Sequence, residues 1–119
     1  GMGGIGLPGD ASSSSRFVRA AFLLHNSDVS DDCLSQMFHI LSSVEMVRGS
    51  VRTREGRLDT TTYSCCMDAS RGIYYYKVYT NHRIHAVDMS RENLDGEKPL
   101  CFPFPKGEDI LFQRANSGE

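Results

Sequence analysis

A chain of 119 residues and 13.2 kDa has room for one modest hydrophobic core and not two, since folding at this length removes roughly two-thirds of the unfolded surface from water. Thirteen Lys and Arg against fifteen Asp and Glu leave a net charge of -2, so no cationic excess exists to displace counterions from duplex nucleic acid. The densest apolar run, Phe17 to Leu24, is broken by Arg19 and falls far short of the ~20 apolar residues of a membrane span. The first residues lack the charged and apolar regions of a secretory signal, and the expected location is therefore cytoplasmic. Cys33, Cys65, Cys66 and Cys101 make a poor disulfide framework, because two of them are adjacent and bridging neighbours strains the backbone. Reduced thiols are expected.

In chain order, Gly1 to Asp10 reads as a glycine-rich turn that feeds a helix starting within Ser12 to Ser15, where hydroxyls can accept from the first orphan amides. The helix should run to about Leu24 or His25. Phe17, Ala20, Ala21 and Leu24 recur at helical spacing and are expected to form its core stripe, with Arg16 and Arg19 on a neighbouring face. Asn26-Ser27-Asp28 is a short polar turn that favours an antiparallel second helix. That helix is predicted with Ser30 as N-cap and Asp31 and Asp32 in its first turn. Leu34, Met37, Phe38, Leu41 and Val44 make its apolar face, and its end falls near Arg48-Gly49.

From Thr60 the chemistry changes to that of strands. Thr60 to Met67, Ile73 to Tyr79 and Ile84 to Met89 are rich in β-branched and aromatic residues. Their connections, Asp68 to Gly72 and Thr80 to Arg83, are of hairpin length, which predicts an antiparallel meander. Leu100 to Phe104 is a candidate fourth strand, confined to an edge by Pro103 and Pro105, and Arg114 to Glu119 reads as a frayed tail. The expected class is α+β in one domain: two antiparallel helices on a three- to four-stranded antiparallel meander.

The residues that could carry chemistry each have a plainer reading. Cys65 and Cys66 point to opposite faces of a strand and cannot share a metal ion without a bulge, and His82 and His85 diverge likewise, so no metal site is expected. A thiol acting with His25 or His39 has no local signature, and His39 lies beside the core stripe of its helix. Tyr74-Tyr75-Tyr76 alternates across a sheet without the basic residues of a base-stacking platform. Arg16 and Arg19 are the strongest polar feature. They suit either a role at a carboxylate or thiolate, or the plainer reading of a solvated helix face or a salt bridge to Asp10.

Gly6-Leu7-Pro8-Gly9-Asp10 followed by Ser15-Arg16-Phe17-Val18-Arg19-Ala20 resembles the choloylglycine hydrolase family of bile salt hydrolases and penicillin V acylases. The resemblance continues in order through Phe38-His39-Ile40-Leu41, Met46-Val47-Arg48-Gly49-Ser50, Thr62-Tyr63-Ser64-Cys65, Gly72-Ile73-Tyr74-Tyr75-Tyr76 and Glu92-Asn93-Leu94-Asp95-Gly96. It covers nearly the whole chain and is similar to that family's C-terminal third.

What the resemblance implies is half of an αββα N-terminal-nucleophile hydrolase, acting on the linear amide C–N bond of conjugated bile salts or penicillin V, with no cofactor. In that family a processed N-terminal cysteine attacks the amide carbonyl, and its own α-amino group handles the proton. The arginine of the Ser-Arg-Phe motif, which belongs to the family's catalytic set, maps onto Arg16, where a permanent guanidinium favours the thiolate. None of the four cysteines here stands at an N-terminus. The chain by itself is thus expected to be inactive, with Arg16 at the mouth of an incomplete site and of little weight in folding. The alternative is a free-standing, non-catalytic α+β domain for binding or assembly. Helices cover only one face of such a sheet, and the bare face predicts a homodimer stacked sheet to sheet.

Overall fold

A computed structural model describes residues 9–116. Residues 1–8, which carry most of the glycine-rich turn, and residues 117–119, the end of the expected frayed tail, lie outside the described residues. The elements are helix α1 (Ser13–Asn26), helix α2 (Cys33–Ser42), strands β1 (Tyr63–Asp68), β2 (Ile73–Val78) and β3 (Asn81–Asp88), and a 3-10 turn over Met89–Arg91. The class is α+β, two helices and a three-stranded antiparallel sheet in the order β1-β2-β3.

Helix α1 starts inside the serine run. Ser12 accepts from the amide of Ser15 at 3.3 Å while the Asp10 carboxylate accepts from the Ser12 amide at 3.0 Å and its hydroxyl at 2.6 Å. The expected core stripe is not the buried one. Phe17 is 75% exposed and Leu24 55%, and the side turned inward carries Arg16, Arg19, Ala20 and Leu23, none of them fully buried. The arginines displace the apolar stripe because they reach carbonyls at the end of α2.

Helix α2 begins two residues later than expected. Ser30 is claimed by Asp28, whose carboxylate accepts from its amide at 3.0 Å and its hydroxyl at 2.6 Å. Asp32 caps instead, at φ 51° and with a 3.4 Å bond from the Ser35 amide. The helix also ends earlier, at Ser42, although apolar residues continue at helical period through Val44. Ser42 and Ser43 turn their hydroxyls back to the carbonyls of Phe38 and Ile40, at 2.8 and 2.6 Å. Met46 is then drawn off to Thr61, whose hydroxyl accepts from the Met46 amide at 2.7 Å and whose amide donates to the Met46 carbonyl at 3.1 Å.

The sheet registers Cys65 with Tyr76 and His85 on one line, and Cys66 with Tyr75 and Ala86 on the next. Gly72, at φ 68°, closes the first hairpin in a conformation that costs glycine nothing, and its amide donates to the Asp68 carbonyl at 2.9 Å. The second hairpin is tighter than expected: β3 starts at Asn81, leaving only Tyr79 and Thr80 between the strands, with a bulge between Tyr76 and Val78. The expected fourth strand does not form: residues 100–104 pair with no strand among the described residues, and Pro103 lacks the N–H that a ladder would use. Residues 107–109 reach the sheet instead, through side chains. Asn81, 5% exposed, donates to the Gly107 carbonyl at 2.9 Å; Glu108 accepts from the His82 amide at 3.0 Å; Arg83 meets Asp109 at 2.7 Å.

α2 rests on β1, and α1 packs on α2. The core is small: Phe38, Ile40 and Val78 are the buried apolar side chains among the described residues. The radius of gyration is 18.1 Å, where a compact chain of this length has about 13 Å.

Candidate functional site

Both arginines of α1 end on the same stretch of backbone. Arg16 donates through Nε to the Val44 carbonyl at 3.0 Å, and Arg19 through Nε to the Ser43 carbonyl at 2.9 Å. These are carbonyls just past the end of α2, where helical partners run out and the dipole is negative, so guanidinium groups are suited to them. Each hydrogen bond is half-buried. Arg16 spends one of its five N–H donors this way, and its other four make no hydrogen bond to the described residues. A guanidinium anchored by Nε with its outer edge unspent can hold a carboxylate, a carbonyl oxygen or a thiolate.

Arg19 reaches further. Its Nη1 donates to the Asp10 carbonyl at 3.4 Å and lies 3.3 Å from where a Cβ on Gly9 would sit. The contact with Asp10 is thus to its backbone, where a salt bridge to its carboxylate was one of the alternatives. The Asp10 carboxylate faces Ser12 instead, and the hydroxyl bond from Ser12, then that of Ser15, holds its pKa below the usual value. A shallow groove lined by Gly9, Ser15, Val18, Arg19 and Phe22 runs alongside, and Arg16 itself is outside that lining.

The remaining candidates are dispersed. Cys33 and Cys101 are exposed, Cys65 and Cys66 half-buried, and all four thiols are free. Burial, then the neighbouring thiols of Cys65 and Cys33, pushes the Cys66 thiol up, away from the thiolate. Cys65 and Cys66 belong to different cross-strand lines, as alternation requires. His85 stacks on Tyr76 at 5.3 Å, and His82 Nδ1 lies 2.7 Å from Glu108. No group of three metal-ligating side chains comes together among the described residues. Tyr74 is pushed up to about 12, first by its hydrogen bond with the Cys65 thiol and then by burial, which keeps it a neutral phenol. Two polar features have no signal in local spacing: the Lys77–Glu45 pair at 3.0 Å and the clamp of residues 107–109. The only hint of the clamp is opposite charge, His82-Arg83 against Glu108-Asp109.

Helices lie on one side of an antiparallel sheet, with an arginine fixed at a helix end, and the solved structures that this arrangement matches are N-terminal-nucleophile hydrolases. The sequence pattern of the linear amide C–N hydrolases, choloylglycine hydrolase family, matches residues 1–102, and the chain belongs to that family. It is 47% identical over 109 residues to a bile salt hydrolase/transferase of Clostridium perfringens, covering 89% of this chain and 33% of the relative. It is 46% identical over 106 residues to that of Lactiplantibacillus plantarum, covering 87% and 33%. Among solved structures, a mutant of the conjugated bile acid hydrolase from Clostridium perfringens matches at a TM-score of 0.77 and 45% identity, covering 91% of this chain and 34% of that one. The penicillin V acylase of Agrobacterium tumefaciens shares the fold at a TM-score of 0.61 and 24% identity, covering 77% and 30%. The chain therefore spans about a third of the length of these relatives. No helix among the described residues is long and apolar enough to cross a membrane.

Proposed function

We propose that this chain is the C-terminal segment of a bile salt hydrolase-like amide hydrolase, a single unit over residues 1–119 with a frayed tail from residue 114, that has no turnover by itself. The observation that carries this is the 47% identity to a bile salt hydrolase/transferase across 89% of the chain and 33% of the relative. In the complete enzyme Arg16 stands beside the nucleophilic cysteine, with Nε tied to Val44 and its outer N–H groups turned to the thiolate or the substrate carbonyl. Conjugated bile salts or penicillin V are the substrate class, and four free thiols fit a cytoplasmic setting. None of these cysteines carries a free α-amino group within the 119 residues, so the base that the family's mechanism requires is not among them. Purified chain should leave glycine- and taurine-conjugated bile salts and penicillin V at background. Turnover that a thiol-alkylating agent abolishes would overturn this and make an internal cysteine the catalyst.

A free-standing binding domain is disfavoured by the core: three buried apolar side chains are few for an independent fold of this length. In the chain by itself, a symmetric dimer through the sheet face opposite α2 follows from Tyr63 and Met67, 57% and 74% exposed on that face. Light scattering at micromolar concentration should give twice 13.2 kDa; a monomeric mass would remove this association.

A further inference from the structure

Between α2 and β1 the chain makes a small hairpin over residues 51–59. Arg52 pairs with Leu58 in antiparallel fashion, the Asp59 amide donates to the Val51 carbonyl at 2.9 Å, and the Thr53 amide donates to the Arg57 carbonyl at 2.8 Å. Gly56, at φ 81°, closes the tip, its amide donating to the Thr53 carbonyl at 3.0 Å. The base is fixed as well. Met46 is bonded to Thr61, the Arg48 amide donates to the Tyr79 hydroxyl at 3.0 Å, and the Arg48 guanidinium lies over the Tyr79 ring at 5.3 Å. This short stretch gathers the positive charge of the molecule. Arg48, Arg52, Arg54 and Arg57 are all exposed, and none forms an ion pair among the described residues. By contrast Arg71, Arg83 and Arg91 each have a carboxylate within 3.7 Å. With Glu55 as the one acid among them, residues 48–58 carry +3, whereas the rest of the chain carries -5 and the total is -2.

Like charges held together on a fixed hairpin repel one another, and the complement of such a surface is an anion. Beside these arginines stand two aliphatic side chains, Val47 and Leu58, 65% and 44% exposed. An acidic protein or a phosphate backbone would use the cations and leave both aliphatic groups in water, whereas a lipid surface uses the two together. From this we infer that the hairpin docks the protein on an anionic lipid surface, with its arginines on the headgroup phosphates and Val47 and Leu58 at the acyl boundary. Guanidinium groups suit phosphate because their planar N–H edge meets two oxygens at once. The rest of the chain, at -5, is repelled by the same surface, so the separation of charge turns the hairpin toward the lipid. The contact is peripheral and needs no membrane-spanning helix. It is also independent of the proposed amide hydrolysis, and either can fail alone.

The test is flotation of the full 119-residue chain with vesicles of phosphatidylcholine alone and of equal parts phosphatidylcholine and phosphatidylglycerol, at low and at high salt. Binding should be confined to the anionic vesicles and should weaken as salt screens the charges. The guanidinium groups of Arg52, Arg54 and Arg57 make no hydrogen bond or ion pair among the described residues, so their replacement by Gln should leave the far-UV spectrum unchanged. Affinity for the anionic vesicles should fall about fivefold for each arginine lost, on the order of a hundredfold in the triple variant. Arg54→Gln alone, at the tip, gives the same reading with the smallest disturbance. Arg91→Gln removes an equal charge from outside the hairpin and should change binding by less than about twofold. Equal binding to neutral vesicles would overturn the inference, since that is adsorption by exposed apolar side chains. So would no binding to anionic vesicles at low salt, a triple variant that binds as well as the parent, or a loss in Arg91→Gln as large as in Arg54→Gln. Tighter retention by polyglutamate or by a single-stranded oligonucleotide than by the anionic vesicles would overturn it in favour of an acidic protein or a nucleic acid.

Discussion

The sheet and the helix pair are stabilised by different kinds of force. Each strand of the meander is bonded to its sequence neighbour through turns of two to four residues, so its ladder closes locally. Helix α1 has no buried residue and shows Phe17, Val18 and Phe22 to water; what fixes it is a pair of guanidinium groups on the Ser43 and Val44 carbonyls. Isolated helices of this length are marginal in water. The sheet is therefore set by the chain's own turns, whereas α1 depends on polar tethers until something covers it.

The sharpest break of this contrast is at the joint between the two regions. Phe38, 5% exposed on α2, is one of the three buried apolar side chains among the described residues, and Phe38→Ala should cost about 3 kcal/mol or more. Urea unfolding followed by far-UV circular dichroism measures it, and a loss below about 1 kcal/mol would mean that helices and sheet do not unfold together.

Next come the tethers. Arg19→Met keeps the apolar stem but drops bonds to Ser43 and Asp10, and should cost about 1–2 kcal/mol. Arg16→Gln, with the single bond to Val44 at stake, should cost about 1 kcal/mol. Both variants should lose helical signal at 222 nm ahead of the sheet on heating, and a single coincident transition would count against a separately held α1.

A smaller effect concerns the clamp on β3. The Glu108 carboxyl is held below its usual value first by the His82 amide and then by the His82 ring. Because the folded pKa is lowered, the carboxylate's contribution is present above the ordinary glutamate pKa and is lost as pH falls through the lowered value. The His82 amide should therefore lose protection in acid while the β1–β2 amides keep theirs, and Glu108→Gln should flatten that response.

The smallest effect is expected at Asp32. At φ 51°, it gives a cap bond to Ser35 from a conformation that glycine adopts freely, so in Asp32→Gly the lost bond and the relieved backbone nearly cancel. The melting temperature should move little, with the change within about 0.5 kcal/mol.

Legibility in the sequence follows the same division. The three strands and both hairpins are readable because alternation and turn residues act over a few positions. The start of α1 is readable from the serine run. The end of α2 is not: Val44, Met46 and Val47 continue the apolar pattern, and only Thr61, fifteen residues on, draws Met46 away. The inward face of α1 is hidden for a related reason, since its apolar stripe has the spacing of a core while Arg16 and Arg19 find carbonyls 28 and 24 residues distant. β3 is longer than its β-rich stretch suggests because Asn81 is held by Gly107, 26 residues away. Arg16 itself stands out by its motif, and its anchoring on Val44 has no sequence signal.

Gly9 and Arg19 also constrain which side chains the other position can be given. Gly9 stands at φ 72°, and a methyl group there would press on Arg19 Nη1 at 3.3 Å. While the arginine is kept, any side chain at position 9 meets both an unfavourable backbone and an occupied space. A lineage that exchanged Arg19 for a shorter residue would clear the space and still face the backbone cost. Position 9 can therefore change only after the turn before α1 has been rebuilt, whereas a change at position 19 clears the space at the expense of the bonds to Ser43 and Asp10.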